Sequence, residues 1–341
     1  MTHNDAAPSR KAPARARRSR LFAPFILAAV LAGAWSYGWI WLRGQAEQRM
    51  DAQAADLKSR GYDLLWSART FSGFPFRMNI QMSDVRIAEP TGWALRLPQL
   101  KGEAAVYNLT HWVLVAPNGV VLTRPEAGDV TIAGEALRAS ISHVTEYPPR
   151  ISIEGAKLTF VPAAGAKPFT LVSADRMQLH VRGGGPDDQG AVFFKADGAK
   201  TAFPGLLGRI AQDKTASMLL ETHLTHVSQL RGRNWEAAVK QWSAAGGQIT
   251  VQKSQILAGD AEGRAKSGVL GVDSDGRVTG LLSVAIKERA DLSQPIQTPE
   301  QALAAAAQAV GQEPVIEADL RFDNGRSYLG AIDTGPAPTV Y

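Results

Sequence analysis

The chain has 341 residues, no cysteine, 45% hydrophobic and 20% charged residues, and a formal net charge of +5. At about 150 residues per domain, that length suits one large domain or two ordinary ones, and the supply of Leu, Ile, Val, Phe and Trp excludes intrinsic disorder. Without cysteine, a disulfide scaffold, a Cys-ligated zinc site, an iron–sulfur cluster and thiol catalysis are all excluded.

Residues 1–20 form a basic tail: Arg10, Lys11, Arg15, Arg17, Arg18 and Arg20 stand against Asp5 alone, which accounts for the whole net charge. The rest of the chain is charge-balanced, so the basic isoelectric point describes a tail and no nucleic-acid partner is expected. Residues 21–42, LFAPFILAAVLAGAWSYGWIWL, carry no charge. At about 1.5 Å per residue this stretch spans a hydrocarbon core of roughly 30 Å as a single helix. The basic residues precede it, which predicts a cytoplasmic N-terminus and an exported body. Trp35, Tyr37, Trp39 and Trp41 crowd the far end, where amphipathic rings sit well at the membrane interface. Pro24 is expected in the first turn, where a missing N–H is tolerated. A cleaved signal peptide is the alternative, since Ala32-Gly33-Ala34 fits a small-residue cleavage site, but the apolar run continues through Trp41 as an anchor's would. No second run of this length follows, so one crossing is expected.

Residues 43–61 read as a membrane-proximal helix, rich in Ala, Gln and charge and closed by Gly61. The exported domain, 62–341, then turns to a period of two. Phe76, Met78, Ile80 and Met82 alternate with Arg77, Asn79, Gln81 and Ser83, which predicts a strand with one apolar face. Asp84 breaks the phase and Val85 with Ile87 resume it, as a bulge would require. Phe169 and Leu171, then Met177, Leu179 and Val181, repeat the alternation, as do Ile316, Ala318, Leu320 and Phe322. Asp275-Gly276 and Asn324-Gly325 are hairpin turns, the second leading into a strand over 327–332. Three short helices are expected: 203–212, a helix capped by Asn234 with Trp235, Ala238, Trp242 and Ala245 on one face, and an Ala-rich run from Thr298 to Gly311. Candidate breaks lie at 183–186 and 294–299. The fold class is therefore mainly β with a few α-helices: one N-terminal transmembrane helix, then a large antiparallel sheet, curled or groove-forming. The body's own caps and hairpins predict that it folds without the anchor.

A search for chemistry yields no catalytic constellation, and no enzyme is expected. His223 and His226 lie three apart on an expected strand, which points the rings to opposite faces and makes no metal site. His180 is expected to be exposed. Asp273-Ser274-Asp275-Gly276 lacks the oxygen ligands of a calcium loop, and Gly183-Gly184-Gly185 lacks the residues of a phosphate loop. Neither metal nor cofactor is expected. What remains is the apolar strand face, which is either the inside of a closed core or the lining of an open groove for acyl chains. Phe76, Met78, Ile80 and Met82 are the candidate ligand-binding residues of such a groove.

Several passages resemble an uncharacterised bacterial family, domain of unknown function 2125. They are the single anchor, Ser72-Gly73-Phe74-Pro75-Phe76, Trp242-Ser243-Ala244-Ala245-Gly246-Gly247, the region from Gly268 through Asp275-Gly276 to Gly280-Leu281, and Leu320-Arg321-Phe322-Asp323-Asn324-Gly325 with Leu329-Gly330. The resemblance implies a Gram-negative inner-membrane protein facing the periplasm and transfers no active site. More distantly, an anchor followed by amphipathic strands looks like the AsmA-like envelope proteins, which implies a lipid-holding β-groove by analogy of fold. The expected function is an inner-membrane-anchored periplasmic protein that binds or passes phospholipid or another lipid-like ligand in envelope maintenance. The alternative is a non-enzymatic scaffold that binds envelope proteins through sheet edges.

Overall fold

The computed structural model describes residues 19–143, 148–202, 214–259, 261–287 and 315–341. The basic tail up to residue 18, the helices expected over 203–212 and 298–311 and the expected break at 294–299 lie outside them. Helix α1 (Ser19–Ser59) runs unbroken through the apolar segment and the polar stretch that follows. Pro24 sits inside this helix, past its first turn. Gly61, at φ +89°, stops it in a conformation that a side chain would resist, and its N–H donates to the carbonyl of Lys58 at 3.0 Å.

The strands follow in chain order: β1 (Asp63–Leu65), β2 (Ala68–Ser72), β3 (Arg77–Ala88), β4 (Ala94–Ala105), β5 (Asn108–Val115), β6 (Val120–Arg124), β7 (Gly128–Ala133), β8 (Ala136–Ser142), β9 (Arg150–Pro162), β10 (Leu171–Gly185), β11 (Gln189–Thr201) and β12 (Ala216–Leu224). Helix α2 (Trp235–Ala244) intervenes before β13 (Ile249–Ala258), β14 (Ala261–Val272), β15 (Val278–Lys287), β16 (Val315–Asp323), β17 (Arg326–Leu329) and β18 (Ile332–Pro336). All the described pairings are antiparallel and join one sheet. Both β1 and β2 pair with β3, both β5 and β6 with β4, and both β7 and β8 with β9, so each of these couples is one long strand with a break in it. The sheet is thus a meander in which each long strand lies beside its chain neighbours. Residues 183–186 are no boundary: 183–185 end β10 and 186–188 turn it into β11, where Asp188 accepts from the backbone N–H and the hydroxyl of Ser228 at 2.8 and 2.7 Å.

The phase break at Asp84 is real, but it is no bulge. Register runs unshifted from the Ser83–Gln99 pair to the Val85–Leu97 pair. Asp84 instead takes φ +50°, with its carboxylate accepting from the Ser67 hydroxyl at 2.7 Å. The left-handed residue turns the strand so that the buried positions pass from Met78, Ile80 and Met82 to Val85, without an extra residue. Ile87 nevertheless stays exposed. The same device recurs at Lys157 (φ +48°) in β9, whereas Gly198 (φ +59°) in β11, where a side chain would collide with Asp175 of β10, coincides with a register shift against β12. These positions form a crease across the meander, and the gaps between β1 and β2, β5 and β6, and β7 and β8 continue it.

Three further expectations meet the structure. Asn234 caps α2 by accepting from the Ala237 N–H at 2.8 Å, and Gly246 at φ +80° follows its end; Ala238 and Trp242 of the expected face are buried, with Val239 beside them, whereas Trp235 and Ala245 are exposed. Asp275-Gly276 and Asn324-Gly325 make the expected hairpins, with Asp273 accepting from the backbone of Asp275 and Arg277 at 3.0 and 2.8 Å. The final segment, expected as one strand over 327–332, is two, because Gly330 at φ +58° turns the chain between β17 and β18. The twist that accumulates from strand to strand rolls the sheet. Glu89, in the β3–β4 turn, accepts from the backbone N–H of Trp235 at the start of α2, 2.7 Å away and 146 residues along the chain.

The body does not complete its core without the helix. Leu42, Ala46 and Met50, spaced to share one side of α1, pack on Phe71, Met78, Ile80, Met82, Val85, Leu97 and Ala116. Arg69 ties the same helix to β2 through both carboxylate oxygens of Asp51, at 2.9 and 3.2 Å. The membrane-proximal helix and the first strands are therefore one packing unit.

Candidate functional site: the apolar face of the meander

Directly opposed residues of an antiparallel pair lie on the same face of a sheet. Following such pairs strand by strand traces one row: Phe71, Ile80, Gly102, Leu114, Ala139, Ile153, Leu179, Phe194, Leu220, Ser254, Ala265, Val284 and Ala318. Only Ser254 in it is polar. At about 4.8 Å between strands the row is on the order of 58 Å long, measured along the sheet. The row one residue over, from Ser72 and Asn79 through Glu103, Val113, Ser140, Ser152, His180, Phe193 and Glu221 to Lys253, is mostly polar. One face of the sheet is apolar along its length and the other is not.

Burial of the apolar face changes along the row. Met78, Ile80 and Met82 keep 0, 6 and 4% of their surface, closed under α1. These three candidate ligand-binding residues are core at this end of the sheet, whereas Phe76 is 66% exposed in the β2–β3 turn. Further along, Ile153, Leu179, Val181, Val192, Phe194 and Leu220 are half-buried. The buried clusters beneath this stretch hold strand and loop residues, with none from α1 or α2 among the described residues. Past the crease, β7 and β9 bury the large side chains of Val130, Leu158 and Phe160, whereas β11 and β13 bury small ones, with Ala199 and Ala258 fully buried. At the far side α2 covers Leu224, Ile249 and Val272. Among the described residues, the half-buried stretch between the two helices is the part of the apolar face that neither helix covers. Period two marked Leu179 and Val181; pairing register, which the sequence does not display, joins them to Phe194 and Leu220.

The polar face holds structural ion pairs. Arg138 and Glu154, opposed on β8 and β9, meet at 2.6 Å, and the hydrogen bond from the guanidinium holds the Glu154 carboxyl below its ordinary value. A hollow of about 560 Å³ lies on this face, lined by Thr70, Ser72, Asn79, Gln81, Lys101 and Glu103 among others, and the Asn79 side-chain oxygen is buried without a hydrogen-bond partner among the described residues. A second, of about 270 Å³, is lined by Arg150, Arg182, His223 and the backbone of 183–185. His223 and His226 are both exposed and lie on different elements, β12 and the turn after it. His180 is half-buried, not exposed, because its ring packs on Phe193 at 5.5 Å. Among the described residues no three His, Asp or Glu side chains gather as a metal site would require.

The aromatic residues of α1 divide into two pairs. Trp35 donates from Nε1 to the carbonyl of Pro75 at 2.9 Å, and Trp39 from Nε1 to the carbonyl of Arg77 at 3.1 Å. Trp39 is buried and meets Phe74 edge to face at 5.8 Å, and Trp35 packs on Phe76 at 6.2 Å. Tyr37 and Trp41 point outward, 73 and 55% exposed. One helix, described from Phe22 to Ser59, is long and apolar enough to cross a membrane, as a single-pass anchor or a signal sequence would be.

A long apolar helix packed on the first strands of a rolled antiparallel meander defines the class of protein. The chain belongs to the family described as "Uncharacterized protein conserved in bacteria (DUF2125)", whose model matches residues 39–338. The match begins at Trp39, so it takes in Trp39, Leu42, Ala46 and Met50, which dock α1 on the sheet, and leaves out Trp35. No curated protein and no solved structure matches the chain.

Proposed function

We propose that this chain is a single-pass inner-membrane protein, N-terminus in the cytoplasm and body in the periplasm, that holds or passes lipid-like ligands along its apolar sheet face. One observation carries the reading. The row from Phe71 to Ala318 starts beneath the helix that can span a bilayer and stays apolar at all but Ser254. A face of this kind suits acyl chains, which need apolar contact along their length and no directed hydrogen bonds. The orientation rests on the six basic residues before the apolar run. The role is binding, with no chemical step.

The test is a lipid extract of the purified full-length protein, read by mass spectrometry, with a periplasm-dependent reporter enzyme fused after Tyr341. Retained phospholipid that falls in Leu179→Glu and Phe194→Glu, with an active reporter, supports the reading. A preparation without lipid that copurifies with one stoichiometric protein partner would overturn it in favour of a scaffold.

A further inference from the structure

We infer that the β2–β3 turn is a second membrane contact: Phe74 and Phe76 dip into the leaflet beside α1 and Tyr107 rests on its surface. The inference rests on the anchor in the proposed function but not on lipid carriage along the sheet.

The geometry fixes the height of the turn against the apolar run. Two indole-to-carbonyl hydrogen bonds clamp it to α1, Trp35 to Pro75 and Trp39 to Arg77. Trp35 precedes Leu42, the end of the uncharged stretch, by about 10 Å of helix, and Trp39 by about 4.5 Å. A span of about 33 Å against a hydrocarbon core of roughly 30 Å places Trp35 inside the leaflet and Trp39 near its surface. The turn held at those two levels presents large apolar side chains outward: Phe74 is 53% and Phe76 66% exposed. Tyr107, 85% exposed, is brought alongside because the N–H of Val106 donates to the carbonyl of Phe76 at 3.0 Å. Exposed aromatics grouped in this way are otherwise unfavourable in water, and their continuity with the membrane-spanning helix identifies lipid as what covers them.

Charge sets the depth. Arg77, at the level of Trp39, pairs with Glu103 on the next strand, and both side chains are about half-exposed. An exposed ion pair belongs among head groups, so the turn enters only as far as its tip. The apolar face of β3 starts at this tip, with Met78 two residues beyond Phe76. The contact therefore holds one end of the sheet's apolar face at the leaflet.

The absence of cysteine makes the test direct. Full-length Phe76→Cys, Tyr107→Cys and Ile332→Cys, each labelled with bimane, would be placed in nanodiscs of phosphatidylethanolamine and phosphatidylglycerol. Ile332, 58% exposed on β18, is the water-facing reference. The expected result is a blue-shifted emission at position 76, quenched by brominated lipid and shielded from iodide. Position 107 should show a smaller shift, and position 332 none. If Phe76→Cys does not fold, the label at 107 carries the test. Iodide quenching at both 76 and 107 equal to that at 332, in protein that stays in the membrane after carbonate washing, overturns the inference and leaves the anchor standing. Protein released by the wash overturns both. Lipid shielding at 76 in a protein that copurifies with no lipid would support the contact while removing lipid carriage.

Discussion

The first strands and the middle of the meander carry the same alternation, and the structure treats them differently. In β3, Met78, Ile80 and Met82 are sealed under α1; in β10 and β11, Leu179, Val181 and Phe194 are half-buried. Period two decides which face of a strand is apolar, but another layer of the molecule decides whether that face is shut. Here the layer is the continuation of the apolar helix, aligned by Trp39, Leu42, Ala46 and Met50. The protein thus has a closed region and a more open one built from one pattern.

The severest way to break the comparison is to remove the cover. Residues 62–341 alone leave Phe71, Met78 and Ile80 facing water, and this truncation is expected to sediment as aggregate where the full chain in detergent stays dispersed. A monodisperse, cooperatively melting 62–341 would show that α1 is dispensable to the core. Next in size is a matched pair of substitutions. Ile80→Glu buries an unpaired charge, at a cost of several kcal/mol against a typical total stability of about 5–15 kcal/mol, and should abolish a cooperative thermal transition. Leu179→Glu, on the half-buried stretch, can keep its carboxylate in water and should lower the melting temperature only slightly. Equal losses at the two sites would mean that both regions are closed.

The crease offers a smaller probe. Asp84→Val places a β-branched residue at φ +50° and should cost about 1–2 kcal/mol in chemical denaturation. The same change at Lys157, at φ +48° in the other region, should act in the same direction. No loss at Asp84 would show that the phase change does not need a left-handed residue there. The smallest effect is local to the β10–β11 turn. The hydrogen bond from the Ser228 hydroxyl is the main cause that holds the Asp188 carboxyl below its ordinary value of 3.8. Its stabilisation is complete above that value and is lost as pH falls through the lowered one. The protection of the Ser228 amide, corrected for the intrinsic pH dependence of exchange, should therefore persist from neutral pH down to the ordinary value of 3.8 and fall only in stronger acid, whereas a loss of protection already above pH 5 would remove Asp188 as its anchor.

Much of this architecture was legible. The apolar run, the strand alternations, the capping Asn234 and the two Asp-Gly and Asn-Gly turns depend on neighbours within a few residues, so composition and period reveal them. What was hidden depends on partners far along the chain. Nothing local distinguishes Trp35 and Trp39, which dock on Pro75 and Arg77, from Tyr37 and Trp41, which do not. The break at Asp84 was visible, but the sequence could not separate an inserted residue from a left-handed one, because both shift the period by one. The cover over Met78 and Ile80 is hidden as well: Leu42 reads as the end of the membrane span, and Ala46 and Met50 read equally well as part of a helix standing in solvent.

The order of the meander bears on how the molecule is assembled. Long strands pair with the strands next to them in the chain, so spatial order and synthetic order coincide. Closing most of the hairpins loses little chain entropy, since their loops are short; the connections from Thr201 to Ala216, Leu224 to Ile249 and Lys287 to Val315 are the long exceptions. A polypeptide delivered from its N-terminus would lay β1–β3 against a helix already in place, and each arriving strand would find a freshly finished edge to join. The growing edge is exposed only until the next strand covers it, which limits the interval in which unpaired backbone can capture a neighbouring chain.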